Sequence, residues 1–312
     1  MPFTDKPQVF SATLNTLTFG KEGHSVSIGG GNVYPLYSFD GTTSRAKVGI
    51  EVSDAGFDAT IPGLAEFYNG CETVADRAKK AAAAEGVDFV VLALDSADPN
   101  GTNASVDECA ETVKAVAAAI DKPLAIMGCK NVEKDAELFV KISDVLRGEN
   151  ALFLSCKEEN YKTVGASVVL AGGQNVGGES AVDINLAKQL NVLLSQMGIP
   201  MDKVVMNLGQ AAAGYGFEYL ASTIERVKDA ALKQNDAMLQ MPVITPLAGD
   251  CWSVKEALLE EADAPEWGSR EERGIQMEIA TASAAIASGS DAVILLHPAS
   301  VKTISELVSA LA

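Results

Sequence analysis

The sequence predicts a (β/α)8 barrel, and three observations predict it. Eight short pulses rich in Val, Ile and Leu recur along the chain, and a helix-patterned stretch follows nearly every one. The rhythm runs over roughly 250 residues, the usual span of such a barrel. Each pulse is too short and too uniformly apolar for a half-exposed strand, so both faces are expected to be buried, as in a parallel sheet. Barrels of this kind carry their chemistry in the loops that leave the C-terminal strand ends. Function is therefore expected in eight short stretches.

Residues 1–45 precede the first pulse and read differently. Segments 9–18 and 25–28 alternate in strand fashion, and Gly29-Gly30-Gly31-Asn32 reads as a turn between them and residues 33–39. This predicts a hairpin-like extension packing on the barrel, with residues 46–312 forming the barrel itself. A phosphate-binding loop is the sharper reading of Gly29–Gly31, but no Gly-Lys-Ser/Thr follows and no helix pattern opens there.

The barrel strands are predicted at residues 47–52, 89–94, 124–127, 152–154, 167–170, 204–207, 243–246 and 292–296. Helices are predicted at 72–85, 105–120, 133–147, 181–197, 217–235, 271–288 and 301–311. Ser105 with Glu108 three residues on has capping-box spacing. Gly86, Gly148, Gly198 and Gly289 follow apolar stripes, as left-handed helix caps do. The stretch 158–163 is short and predicts an abbreviated helix. Residues 265–274 mix Pro, Gly, Ser and charges, and predict an exposed loop.

The 312 residues carry 42 acidic against 24 basic side chains, a net charge of −18. That balance argues against nucleic acid and against an anionic membrane surface, since both need clustered Lys and Arg. No apolar run approaches the ~20 residues that span a bilayer. Residues 1–20 show no basic region leading into an apolar stretch, and the five cysteines are widely spaced. A cytoplasmic, reducing compartment is the expectation.

Past the strand ends stand Asp54, Asp95-Ser96-Ala97-Asp98, Gly128-Cys129-Lys130-Asn131, Ser155-Cys156-Lys157-Glu158, Gly172-Gly173-Gln174-Asn175, Asn207-Leu208-Gly209-Gln210, Leu247-Ala248-Gly249-Asp250 and His297-Pro298. This rim is polar and mostly neutral, suited to a large ligand with amide or carbonyl groups. Lys130 and Lys157 stand where a carbonyl-trapping lysine could, but Asn131 and Glu158-Glu159 beside them predict solvated loop lysines. Cys129 and Cys156 occupy equivalent positions on neighbouring strands. With no Cys-x-x-Cys and no His at ligand spacing, they read as small buried residues. His297 ends the eighth strand, where a base could stand, yet spacing supplies it no partner, so a packing or hydrogen-bonding role is expected. Residues 175–180 (NVGGES) look like the Gly-Gly-Glu-Ser loop of pterin-binding barrels. Their position after the fifth strand supports only a Gly-rich loop before a helix N-terminus.

The segments FSATLNTLTFG (10–20), GGGNVYPLYSFD (29–40), FVVLALD (89–95), MNLGQAAAGYG (206–216) and VILLHP (293–298) carry a family resemblance. Over nearly its full length the chain resembles the small (delta) subunit of the corrinoid iron–sulfur protein of the acetyl-CoA synthase/CO dehydrogenase pathway. The resemblance implies a barrel partnered with a large (gamma) subunit that holds the iron–sulfur cluster and most contacts to a cobalamin-type corrinoid. It implies that the cobalt accepts a methyl group from a methyltetrahydrofolate:corrinoid methyltransferase and passes it to acetyl-CoA synthase. The small subunit's mouth would then cover one face of the corrin without catalytic residues of its own.

Three features of the residues agree with this. Five scattered cysteines do not hold a cluster in this chain alone. Neither His24 nor His297 follows an Asp in the Asp-x-His-x-x-Gly pattern that places histidine on cobalt. The amide-rich rim suits a propionamide fringe. By position, Asp95, Asn175, Asn207, Gly209, Gln210 and His297 are expected to line that face. The competing reading is a pterin-dependent methyltransferase acting on methyltetrahydrofolate, because such barrels also place Asp and Asn at strand ends.

Overall fold

Eight parallel strands close into a barrel in a computed structural model that describes residues 7–311. The first six residues of the N-terminal extension lie outside the described residues. The extension contributes an antiparallel hairpin, β1 (Thr16–Lys21) and β2 (His24–Gly29). The barrel strands are β3 (Lys47–Ser53), β4 (Phe89–Ala93), β5 (Leu124–Met127), β6 (Leu152–Cys156), β7 (Asn175–Glu179), β8 (Val204–Asn207), β9 (Ile244–Pro246) and β10 (Ala292–Leu295). They pair in chain order, β10 pairs β3, and a parallel bridge from Met206 to Val243 joins β8 to the β9 end of the sheet.

The helices are α1 (Pro62–Phe67), α2 (Val74–Ala82), α3 (Val106–Ala119), α4 (Val132–Val145), α5 (Tyr161–Val164), α6 (Ile184–Gln196), α7 (Phe217–Leu232), α8 (Ala248–Ser253), α9 (Lys255–Leu258), α10 (Arg270–Ser288) and α11 (Pro298–Ala310). The barrel expectation holds, because the uniformly apolar strands have two cores to serve. Even-numbered β3 residues Val48, Ile50 and Val52 pack outward with the helices. Phe89, Val91, Ala125, Leu152, Val205, Ile244, Ala292 and Ile294 pack inward.

The hairpin joins that inner core. Leu17, Phe19 and Ile28 are fully buried against it, and the Phe19 ring meets Phe89 edge-on at 5.3 Å between centroids. It covers the N-terminal end and leaves the C-terminal end as the open mouth. Its turn is Glu22-Gly23, not Gly29–Asn32 as the sequence suggested, and residues 33–39 form no strand. Lys21 pairs with His24 across a two-residue loop, while Gly29 and Gly30, both at positive φ, lead the chain away from the hairpin.

The fifth barrel strand is also displaced from its expected place. Residues 167–170 lie in a π-helical stretch, Gly165–Ala171, continuing from α5. Their apolar run is one helix face: Val164, Val168 and Val169 are buried, whereas Leu170 is half exposed. The strand is the glycine-rich Asn175–Glu179, pressed on both faces. A Cβ on Gly177 would lie 2.6 Å from Leu154 Cδ2, and one on Gly178 would lie 2.9 Å from Leu190 Cδ2. The NVGGES stretch is thus strand, not loop. Residues 265–274 also change character, since α10 already begins at Arg270 behind the Ser269 cap.

Helix signals read well. Gly86, Gly148, Gly198 and Gly289 all take positive φ, and Ser105 forms the full capping box with Glu108. Ser105→Ala is expected to cost about 1 kcal/mol, read as a lower urea midpoint.

Candidate functional site

Strand alternation points Glu51, Glu179 and Asn207 inward at the top of the barrel, each paired in register with its neighbours. The loops above them add Asp95, Lys130, Ser155, Lys157, Gln210 and Asp250. Lys130, Lys157, Glu179, Ala181, Val182, Gly209, Gln210 and Asp250 line a cavity of about 300 Å³. A recess of about 20 Å³ beneath it reaches Ser155, Asn207 and the buried carboxylate of Asp135.

Local structure fixes these groups. A register shift between Phe153 and Cys156 lets Leu154 and Ser155 both turn inward. Ser155 Oγ then accepts Asn207 Nδ2 at 3.0 Å, while Asn207 Oδ1 accepts the Gly209 N–H at 3.1 Å. Gly209 has φ +121°, and a Cβ there would press on Val182 at 3.0 Å, so the loop needs glycine. Asp135 accepts the Cys129 N–H at 2.7 Å and fixes the third loop. Lys157 pairs with Glu179 at 3.1 Å. Lys130 sits at φ +69° and, among the described residues, has no carboxylate within ion-pair distance.

Of the expected site residues, Asp95, Asn207, Gly209 and Gln210 gather at the mouth. Asp95 accepts Ser53 Oγ at 2.5 Å. His297 is at the same end but turned into the wall. Its Nδ1 accepts the Ala299 N–H at 3.2 Å, which puts the ring proton on Nε2, 3.0 Å from Glu271 Oε1. Trp252 stacks on the ring at 5.9 Å, and burial holds the imidazole pKa below its usual value against the pull of Glu271. His297 caps α11 and packs, with both nitrogens engaged.

Asn175 corrects the expectation. It opens β7 at the opposite end of the barrel, fully buried, donating to Asn150 Oδ1 at 3.0 Å. The displaced fifth strand explains the error, because a residue thought to follow a strand in fact begins one.

The mouth is also less neutral than its rim sequence suggested. Glu51 is 8 % exposed and pushed up to about 8 by burial, reinforced by Asp95 and opposed by Lys130. Glu278 of α10 is fully buried and pushed up to about 7 by burial, although the N–H groups of Leu296 and His297 favour its charge. Glu179 and Asp250 were likewise not singled out. The missed signal was Glu51 itself, a charge inside a doubly buried apolar pulse at an inward position. Cys129 and Cys156 are buried as expected, and burial pushes both thiols up to about 12. Among the described residues no helix is long and apolar enough to cross a membrane.

Residues 16–298 match the family described as CO dehydrogenase/acetyl-CoA synthase delta subunit. The chain is 30 % identical over 298 residues to acetyl-CoA decarbonylase/synthase complex subunit delta 2 of Methanosarcina acetivorans, covering 94 % of this chain and 67 % of the relative. It is 32 % identical over 304 residues to the delta subunit of Methanothermobacter thermautotrophicus, covering 92 % and 73 %. Among solved structures it resembles Xanthomonas albilineans dihydropteroate synthase with 4-aminobenzoic acid. There the TM-score is 0.59 at 13 % identity, over 95 % of this chain and 98 % of that one. The Vibrio fischeri 7,8-dihydropteroate synthase gives 0.58 at 13 %, over 94 % and 97 %. These last likenesses carry the fold alone.

Proposed function

Since the chain belongs to the CO dehydrogenase/acetyl-CoA synthase delta subunit family, we propose that its barrel mouth covers a corrinoid held mainly by a large partner subunit that also carries an iron–sulfur cluster. Bound there, the corrinoid supplies the cobalt that takes a methyl group from a methyltetrahydrofolate:corrinoid methyltransferase and gives it to acetyl-CoA synthase. The observation that carries this reading is the mixed donor and acceptor lining of the mouth. A corrin edge is a fringe of primary amides, each both donor and acceptor. Lys130 and Gln210 offer donors, Glu179 and Asp250 offer acceptors, and Gly209 lets a ligand approach the backbone. Tyr215, Tyr219 and Trp267, on the loops and helix starts at this same end, stay 42 % to 68 % exposed, as a surface awaiting a partner would. This chain's part is to orient the ring edge and exclude water.

Co-expression with the large subunit is expected to yield a tight heterodimer whose absorption spectrum shows corrinoid and iron–sulfur bands together. A stable, corrinoid-free monomer that refuses the partner would overturn the reading. The competing reading, a pterin-dependent methyltransferase, draws on the cavity of about 300 Å³, a volume suited to a single heterocycle. It requires folate binding by this chain alone, and a flat folate titration excludes it.

A further inference from the structure

We propose that Glu51 is the ligand-sensing group of the mouth, a carboxylic acid that donates its proton in a hydrogen bond to a carboxamide or lactam carbonyl of the bound molecule. This deepens the corrin-covering reading and rests on it for the identity of the ligand.

Three observations carry it. Strand alternation and the register Glu51↔Val91 place the side chain on the inward face, one step above Gly49, whose face is filled by the Phe89 ring. The residue is more than nine-tenths buried, yet its carboxyl makes no hydrogen bond or ion pair with any described residue. Neither carboxyl oxygen is among the sealed, partnerless atoms such as Arg77 Nε and Ser180 Oγ, and Lys130 and Asp250, whose charges act on Glu51, both line the cavity of the mouth. A buried polar group without a partner is costly, and one that keeps some exposure beside a cavity is available to a ligand.

The groups facing it are Asp95 above β4, Lys130 above β5, Asp250 of α8 and Glu278 of α10. Three acids against one ammonium, added to burial, favour the neutral acid near pH 7. A neutral carboxyl can donate where a carboxylate cannot. The chemistry selected is therefore a carbonyl acceptor. A corrin's amide fringe and the lactam of a pterin both supply one.

The test is equilibrium titration of the full chain with dicyanocobinamide and, separately, with 5-methyltetrahydrofolate, at pH 7 and pH 9. Cobinamide affinity is expected to fall about tenfold between these pH values as Glu51 ionises. Glu51→Gln keeps a donor, so its affinity should match wild type at pH 7 within about twofold and lose that pH dependence. Any share due to Glu278 would persist in the variant. Glu51→Leu should bind at least about tenfold more weakly at pH 7.

Cobinamide binding that ignores both pH and the Leu variant overturns the role of Glu51 while leaving the corrin-covering reading intact. Glu51-dependent binding of methyltetrahydrofolate with none of cobinamide upholds Glu51 and overturns the corrin reading. Binding of neither ligand at either pH overturns the role of Glu51, and the spectrum of the heterodimer then decides the corrin reading.

Discussion

Asp291→Ala is expected to destabilise the fold by about 3–5 kcal/mol, read as a lower urea midpoint at unchanged slope. Asp291 stands just before β10 at the closed end of the barrel. Its Oδ2 accepts Lys228 Nζ of α7 at 2.6 Å and the Val243 N–H at 2.7 Å, while its backbone carbonyl takes the Lys47 N–H at 3.0 Å. One residue thus ties β3, the β9 end, β10 and α7. The side chain of Lys228 is only 4 % exposed, so removing the carboxylate strands a buried ammonium, unlike the loss of a surface pair. The double variant Lys228→Met, Asp291→Ala should recover roughly half of the loss, since Val243 N–H still lacks its acceptor. A single-variant cost below about 1 kcal/mol would mean that Lys228 reaches water when its partner is gone.

The same device recurs two strands on, across β3. Asp88 before β4 accepts the Val48 N–H at 2.9 Å and pairs with Arg45 at 2.6 Å. Both aspartates follow a positive-φ glycine by two residues, in Gly86-Val87-Asp88 and Gly289-Ser290-Asp291. This pattern was visible in the chain. What it means was not, because the hydrogen bonds it makes go to strands distant in sequence.

Seven of the eight barrel strands were legible, since a strand buried on both faces is written as a continuous apolar run. The remaining one was not, because Asn175–Glu179 is buried by lacking side chains rather than by having apolar ones. The neighbouring Val168-Val169-Leu170 run imitated a strand while forming a helix face. The mouth was half legible. Asn207, Gly209 and Gln210 follow a correctly placed strand and were found. Asn175 was lost with its strand. His297 was placed at the right end, but the Glu271 and Trp252 that turn it into the wall come from elements far off in sequence. Glu51 is hidden by the apolar majority of its strand, in which it is the one acidic residue.

Glu51→Gln is expected to stabilise the protein, by about 2–3 kcal/mol at pH 9 and by nothing measurable near pH 4. The sign follows from the shift. Burial, then Asp95, raises the carboxyl from an ordinary 4.5 to about 8 in the folded chain. Between those values the folded chain holds a proton that the unfolded chain has released. Wild-type stability therefore falls as pH rises across that window, by at most about 1.4 kcal/mol per pH unit, and levels off above it. Glu278, raised from 4.5 to about 7, adds a decline of the same sign that ends sooner and survives in the variant. Urea midpoints from pH 4 to pH 9 should then diverge, the variant flattening near pH 7 while wild type keeps falling. Parallel curves would mean that Glu51 is hydrated and ionised in the fold.

The wild-type chain carries this cost with no internal partner to offset it. Local instability of that kind concentrates where a fold holds a group ready for something it binds. A ligand that engages the protonated acid should stabilise wild type through binding linkage, and most where affinity is highest, on the acid side of pH 8. Dicyanocobinamide added at pH 7 should therefore raise the wild-type midpoint more than at pH 9. In Glu51→Gln the two increments should differ only by any share due to Glu278, so the part of the difference lost on substitution measures what the acid contributes to holding a ligand.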